Sequence, residues 1–416
     1  MEIRFILTPR NLVLCSYYMK KFIVLIFIIF VSVISSFAAN IDELKKAAEQ
    51  GVAQAQYNLG ICYANGNGVE KNLSEAVKWY RKAAEQGYAQ AQYDLARCYS
   101  DGSGAEKNLP EAIKWFRKAA EQGYAPAQYD FGVFCVNGDE IEKNLPEAVK
   151  WFQKAAEQGI ALAQLNLGVC YAKGSGVEKN LAESVKWFRK AAEQGNAQAQ
   201  LNLGVCYEFR YGVGKNLPEA VKWYRKAAEQ GIAQAQYNLS LCYYNGSGAE
   251  KNLTEAFKWC RKAAEQGYAN AQFNLGCYYA NGFGVEKDLA EAVKWLRKAA
   301  EQGNAQAQVA LGDYHANGFG VEKDLSESVK WYRKAAEQGN AQAQAALGIC
   351  YTVGIGVIQN NIKAYAWFAL AAANGNKVAI EAMHSLKVEM TPLQVEKAVN
   401  LAENYSKGIF DEKPRK

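Results

Sequence analysis

Two histidines, ten cysteines and a recurrent Gly-Ser-Gly are the residues of this chain best equipped for chemistry. A histidine set against a serine, cysteine or aspartate would point to acyl transfer. Cysteines and histidines at short fixed spacing would point to zinc. Neither pattern is present in the sequence. Gly-Ser-Gly at 102–104, 174–176 and 246–248 would suggest a phosphate loop if it followed a strand. Each copy follows a helical segment instead and reads as a turn. Carboxylates recur, but at helix-capping and solvent-facing positions. No catalytic residue, cofactor site or metal ligand set is expected, and the chain is not read as an enzyme.

What positions these residues is a repeat. All nine tryptophans stand 36 residues apart, from Trp79, Trp115 and Trp151 to Trp331 and Trp367. The glycine of Glu-Gln-Gly keeps the same step from Gly51 to Gly339, with a variant at Gly375. A period of this size means one supersecondary unit stacked in a line. His315 then stands where the first repeat has Tyr63, so packing accounts for it. Half the residues are hydrophobic and only seven are proline, which suits a continuous helical core.

Within residues 52–87, Ala55, Leu59, Cys62 and Tyr63 recur at helical spacing and predict a first helix over about 53–64. Asn65-Gly66-Asn67-Gly68 ends it, since glycine accepts a positive φ. Asn72 is a good N-cap, with Glu75 three residues on as in a capping box. Ala76, Trp79, Tyr80 and Ala83 form the apolar face of a second helix, which Gly87 closes. Each unit is thus two antiparallel helices, and the fold class expected is an all-α solenoid of nine 36-residue helix–turn–helix repeats over 52–375. A lone helix at 39–51 caps the start. Residues 376–416 supply a helical cap, Val378–Lys387 and then a helix opened by Thr391-Pro392-Leu393-Gln394, followed by a polar tail.

The N-terminus reads as a targeting segment. Lys20-Lys21 precede an apolar run from Phe22 to Ile34, and Ser36-Phe37-Ala38 offers a cleavage site, so residues 1–38 read as a secretory signal peptide. With translation from Met19 the signal is already complete, and residues 1–18 then read as a mis-assigned start. The rival is an uncleaved anchor, the one route to a membrane. The expected location is outside the cytoplasm, periplasmic or secreted. Residues 1–38 carry Arg4, Arg10, Lys20 and Lys21 against Glu2, so removing them halves the net charge from +6 to +3. The remaining charges alternate in sign along each repeat, which argues against nucleic acid as partner. Cys62, Cys98, Cys170, Cys206, Cys242 and Cys350 share one position of the repeat. Equivalent positions on stacked helices lie about 8–10 Å apart, beyond the roughly 7 Å reach of a disulfide. They are expected to be packed thiols.

The pattern L-G-x-x-Y-x-x-G-x-G-V-x-K-[ND]-x-x-E-A-x-x-W-[YF]-x-K-A-A-E-Q-G resembles the Sel-one-like repeat (SLR) family, a branch of the tetratricopeptide-like α-solenoids. The closing A-Y-A-W-F-A-L-A-A and M-T-P-L-Q are similar to the ends of bacterial members, which implies a bacterial envelope. The resemblance implies a right-handed superhelix acting as an adaptor for other proteins, with no catalytic residues to carry over. Gly138-Asp139-Glu140-Ile141 and Phe209-Arg210-Tyr211-Gly212 depart from the turn pattern. Some secreted members cross-link their helices through two cysteines per repeat. Here a single bridge from Cys260 to Cys242 or Cys277 stays open.

The functional signal lies on the first helices. One position reads Tyr57, Tyr93, Tyr129, Leu165, Leu201, Tyr237, Phe273, Val309, Ala345. The next reads Asn58, Asp94, Asp130, Asn166, Asn202, Asn238, Asn274, Ala310, Ala346. Both are expected to face away from the core. First helices line the concave face of related solenoids. A row of rings beside a row of amides suits a protein or extended peptide, with amides for its backbone and rings for its side chains. The candidate partner-binding residues are therefore Tyr57, Asn58, Tyr93, Asp94, Tyr129, Asp130, Asn166, Asn202, Tyr237, Asn238, Phe273 and Asn274. Binding is expected in the first seven repeats, because Val309-Ala310 and Ala345-Ala346 offer neither amide nor ring. Copying of repeats explains the row equally well. A cell-wall or penicillin-binding role, as linked to cysteine-rich relatives, and a structural spacer remain alternatives.

The tryptophans are expected to be structural. Replacing Trp223 with alanine should cost about 3–5 kcal/mol. Because repeats couple to their nearest neighbours, hydrogen exchange should accelerate around that repeat first, and uniform protection would sink the assignment.

Overall fold

The structure, a computed structural model, describes residues 40–138 and 142–410. The signal peptide expected at 1–38, the turn residues Asp139, Glu140 and Ile141, and the extreme C-terminal tail lie outside them. Among the described residues every regular element is helical. The chain divides into two compact units, Met1–Ala191 and Ala192–Lys416. The first holds α1 (40–49), α2 (Ala53–Asn65), α3 (Leu73–Glu85), α4 (Ala89–Asp101), α5 (Leu109–Glu121), α6 (Ala125–Asn137), α7 (Leu145–Glu157) and α8 (Ala161–Lys173). The division falls in α9 (Leu181–Glu193). The second unit holds α10 (Ala197–Phe209), α11 (Leu217–Glu229), α12 (Ala233–Asn245), α13 (Leu253–Glu265), α14 (Ala269–Asn281) and α15 (Leu289–Glu301). It continues with α16 (Ala305–Asn317), α17 (Leu325–Glu337), α18 (Ala341–Val353), α19 (Asn361–Ala373), α20 (Lys377–Glu389) and α21 (Pro392–Ser406). Within each unit, successive helices pack on one another in chain order, as an α-solenoid does, and α21 folds back onto α19.

In seven of the nine repeats a glycine lets the two helices of the repeat approach closely. A Cβ added at Gly60 would lie 2.6 Å from the Tyr80 ring, and at Gly168 it would lie 2.6 Å from Phe188. In the sixth repeat Ser240 stands at the glycine position and Cys260 at the ring position, both fully buried. The Cys260 Sγ donates to the Ala271 carbonyl oxygen at 3.2 Å, and all nine described cysteines are free thiols. The bridge left open at Cys260 is not formed.

Each tryptophan from Trp79 to Trp331 has the ammonium of the lysine three residues on over its ring, at 3.9–4.4 Å from the centroid. The lysine stem screens the ring while the charge stays in water. In the last repeat that lysine is Leu370. Trp367 is covered instead by Tyr405, at 4.6 Å between ring centroids, and by Phe410 at 6.0 Å.

The turn at Phe209-Arg210-Tyr211-Gly212 holds its conformation although its sequence departs from pattern. Gly66 and Gly68 take φ of 80° and 71°. In the fifth repeat Arg210 occupies the first of these sites with φ 62°, while Gly212 keeps φ 70°. A side chain there costs about 1–2 kcal/mol, yet the turn survives. The capping box expected at Asn72 and Glu75 is half formed. Asn72 Oδ1 accepts the Glu75 amide at 3.0 Å, but the Asn72 amide donates to the Tyr63 carbonyl at 2.8 Å. With that amide satisfied, glutamates of this position pair with the lysine three residues on, as Glu111 does with Lys114 at 3.0 Å. The reciprocal box is present at Thr391 and Gln394.

The repeats are tied together by a glutamine that the apolar pattern hides. Gln92 is 4% exposed. Its Nε2 donates to the Ala84 carbonyl of the preceding repeat at 3.0 Å, and its Oε1 accepts from Gln122 Nε2 at 2.6 Å. One side chain thus joins three helices, and the Ala84 carbonyl accepts it in addition to the Gly87 amide. The pair of bonds recurs at Gln56, Gln128, Gln236, Gln272 and Gln308. Gln308→Leu should therefore cost about 2 kcal/mol, because it removes both hydrogen bonds of the bridge. Gln338→Ala should cost only about 1 kcal/mol, since water reaches that end. Urea unfolding of the two variants measures the difference, and equal losses would remove the glutamine bridge as a stabilising element.

Candidate functional site

The candidate face is carried by the first helices, whose opposite side holds the buried alanine and leucine stripe. All twelve candidate residues stand on it, but only Asn58 is exposed; the other eleven are half-buried. The row does not point freely into solvent as expected. In the first unit the Tyr57 hydroxyl donates to Asp94 Oδ2 of the next repeat at 3.0 Å. Tyr93 engages Asp130 in the same way, and Tyr129 engages Asn166. The rings pack as well, Tyr57 at 5.2 Å from Tyr88 and Tyr93 at 5.3 Å from Tyr124. In the second unit Asn274 Nδ2 donates to the Tyr237 hydroxyl at 3.4 Å. Asn238 meets the hydroxyl of Tyr224, and Asn202 Oδ1 accepts from Gln198 Nε2 at 3.1 Å. Apart from the Asn202 bond, which stays within its own helix, these bonds latch neighbouring repeats to one another across the face.

Two of these latches carry a carboxylate where later repeats carry an amide. Burial pushes the Asp94 carboxyl above its ordinary range, against the Tyr57 hydrogen bond and the nearby Arg97, which pull it down. Asp130 is raised for the same reason, with Tyr93 and Arg97 opposing. The thiols are unsuited to nucleophilic work. Burial raises Cys206 to about 11 and Cys242 to about 12, so neither is a thiolate near neutral pH. His315 is buried, with Arg297 Nη2 3.3 Å from its Nε2. In the last repeat the same position is Tyr351, whose hydroxyl accepts from the equivalent arginine, Arg333, at 2.5 Å. No group of three or more His, Cys, Asp or Glu among the described residues is placed to hold a metal ion.

On the second unit's face the latches give out and cavities open. One of about 390 Å³ lies between α14 and α16, lined by Phe273, Leu296, Val309, Ala310 and Asp313 among others. A second, of about 280 Å³, lies on the other side of α14, lined by Leu241, Tyr244, Asn274, Tyr278 and Phe283. Cys277 and Asn281 line both. Sequence reasoning passed over Asp313. The signal was there: the same position is Ile61, Val133, Val169, Val205, Leu241 or Ile349 in six other repeats.

A model of the Sel1 repeat matches nine consecutive segments: 53–88, 89–124, 125–160, 161–196, 197–232, 233–268, 269–304, 305–340 and 341–376. Among solved structures, a protective antigen of uropathogenic Escherichia coli displaying an SLR fold is 34% identical. It has a TM-score of 0.62 over 90% of this chain and 91% of that one. A Sel1 repeat protein from Oxalobacter formigenes is 38% identical, with a TM-score of 0.60 over 74% of this chain and 89% of its own. DAP3-binding cell death enhancer 1 of Rattus norvegicus is 41% identical over 58 residues, 12% of this chain and 11% of that protein. The secretory immunoglobulin A-binding protein EsiB of Escherichia coli is 45% identical over 42 residues, 10% of this chain and 9% of its own length. The chain spans about a tenth of the length of these two curated relatives.

Asp94 and Asp130 set a pH dependence of known sign. A carboxyl raised on folding disfavours the folded state at pH values above its folded pKa, and that penalty disappears as pH falls through the folded value towards the ordinary one. Replacing both residues with asparagine should raise the melting temperature near pH 7, with a gain that shrinks towards pH 4. Calorimetry across that range checks it; a gain that grows on acidification would reverse the assignment.

Proposed function

The chain belongs to the Sel1 repeat family, and on that premise we propose that it is an exported, non-enzymatic scaffold binding a protein or extended peptide on its first-helix face. The observation that carries this reading is the array itself. Nine copies of one helical pair leave few unlike residues to assemble into a reaction centre, and repeat arrays work through the long surfaces they build. The half-exposed rings and amides of that face supply amphipathic contact area at low entropic cost. Two relatives named above bear the name of a bound protein, DAP3 in one and secretory immunoglobulin A in the other. Export rests on Lys20-Lys21, the apolar run that follows and Ala38. Among the described residues no helix is long and apolar enough to cross a membrane.

A photo-cross-linking residue placed in turn at Asn58, Gln198, Lys78 and Lys222 of the full chain tests the reading in living cells. The first two positions are exposed on first helices, the last two on second helices. The expected result is a discrete protein adduct from Asn58 or Gln198, none from Lys78 or Lys222, and a mature chain beginning at Ala39 in the exported fraction. Adducts from the second-helix positions alone would move the site to the opposite face. Covalent labelling of the chain by a fluorescent penicillin would refute the non-enzymatic reading.

A further inference from the structure

The repeats that seem least equipped to bind are the ones whose face is open. Where a tyrosine is followed one repeat later by aspartate or asparagine, its hydroxyl spans the seam between first helices. Tyr57–Asp94 does so in the first unit and Tyr237–Asn274 in the second. At the α14–α16 seam both partners are lost: Phe273 has no hydroxyl and Ala310 no amide. Val309 also removes the ring that Tyr57 and Tyr93 place over the equivalent surface. The missing volume appears as the cavity of about 390 Å³.

We propose that the two cavities flanking α14 form one docking site for an extended peptide with an arginine or lysine and, about three residues away, an aromatic or aliphatic side chain. This deepens the scaffold reading above and rests on it. The larger cavity has an apolar floor of Phe273, Leu296, Val309 and Ala310, and Asp313 is the one charged residue lining either cavity. Asp313 Oδ1 accepts the Tyr332 hydroxyl at 2.6 Å, which fixes the carboxylate and leaves its second oxygen for a partner. A carboxylate held at the wall of an apolar pocket selects a long basic side chain, whose stem lies on the floor while its head meets the charge. The smaller cavity has no charged lining and is walled by Tyr244, Tyr278 and Phe283, which suits an apolar anchor. Packed helices stand about 8–10 Å apart and an extended chain advances about 3.3 Å per residue. That spacing sets the separation of the two anchors. Asn281, Gln306, Asn340 and Gln342 line the larger cavity beside this floor and offer amides to a peptide backbone.

A random decapeptide display library selected on the full chain tests this without a known partner. Selected peptides should carry a basic residue two to four positions from an aromatic or aliphatic one. Asp313→Asn, which preserves shape and the bond from Tyr332, should weaken a selected peptide at least tenfold by fluorescence anisotropy. The pair Phe273→Tyr and Ala310→Asn, which rebuilds across this seam the latch of the other repeats, should do the same without lowering the melting temperature. Tyr93→Phe in the first unit should change affinity less than twofold. Bound peptide should also slow alkylation of Cys277, which lines both cavities. Selected peptides with no basic residue, or affinity unchanged in Asp313→Asn, would overturn the docking site. If those peptides respond instead to Tyr93→Phe, the scaffold reading survives and this site does not. If no peptide is enriched, both fall.

Discussion

The structure depends on a glutamine amide buried between helices. Each repeat brings the C-terminal end of one helix against the flank of the next, and a polar side chain enclosed in that apolar seam is costly unless it is hydrogen-bonded. Gln56 and its equivalents find partners on both sides: Nε2 donates to the Ala48 carbonyl, which also accepts the Gly51 amide, and the glutamine of Glu-Gln-Gly completes the bridge. Position 86 and its equivalents are therefore more than a helix terminator. In the final repeat asparagine takes the same role, Asn374 Nδ2 reaching Gln344 Oε1 at 3.1 Å.

The helices were legible in the sequence because their signals are local. Asn72, Pro110 and Gly87 act within one turn of where they stand, and the tryptophan spacing sets the apolar face of every second helix. The glutamine bridge was not legible in the same way, although a polar residue beside Ala55 in all nine repeats was a visible anomaly. Its partners lie eight residues back and thirty on, distances at which periodicity says nothing about direction. The same limit applies to Tyr57 and Asp94. Both were singled out, but as groups for a partner, because a bond to the next repeat depends on helix spacing and not on helix phase.

Loss and gain of binding surface read in opposite senses at the two levels. In the sequence, Val309 and Ala310 are an impoverishment, a ring and an amide gone. In three dimensions the tyrosines and amides are largely occupied with each other, and taking them away leaves volume that other atoms can enter. Asp313 matters for the same reason: its side chain stands at the rim of that volume, held by Tyr332, while Asp94 and Asp130 are enclosed in latches.

The cover over Trp367 has a consequence for length. In the earlier repeats a lysine shields the indole and the next repeat buries the remaining flank. At the end of the array Tyr405 and Phe410 take that place, and α21 lies along α19. Residues 377–410 are thus an end-stop. A chain that lost them would leave the Trp367 ring and the flank of α19 uncovered, an apolar end face of the kind that draws another surface onto it.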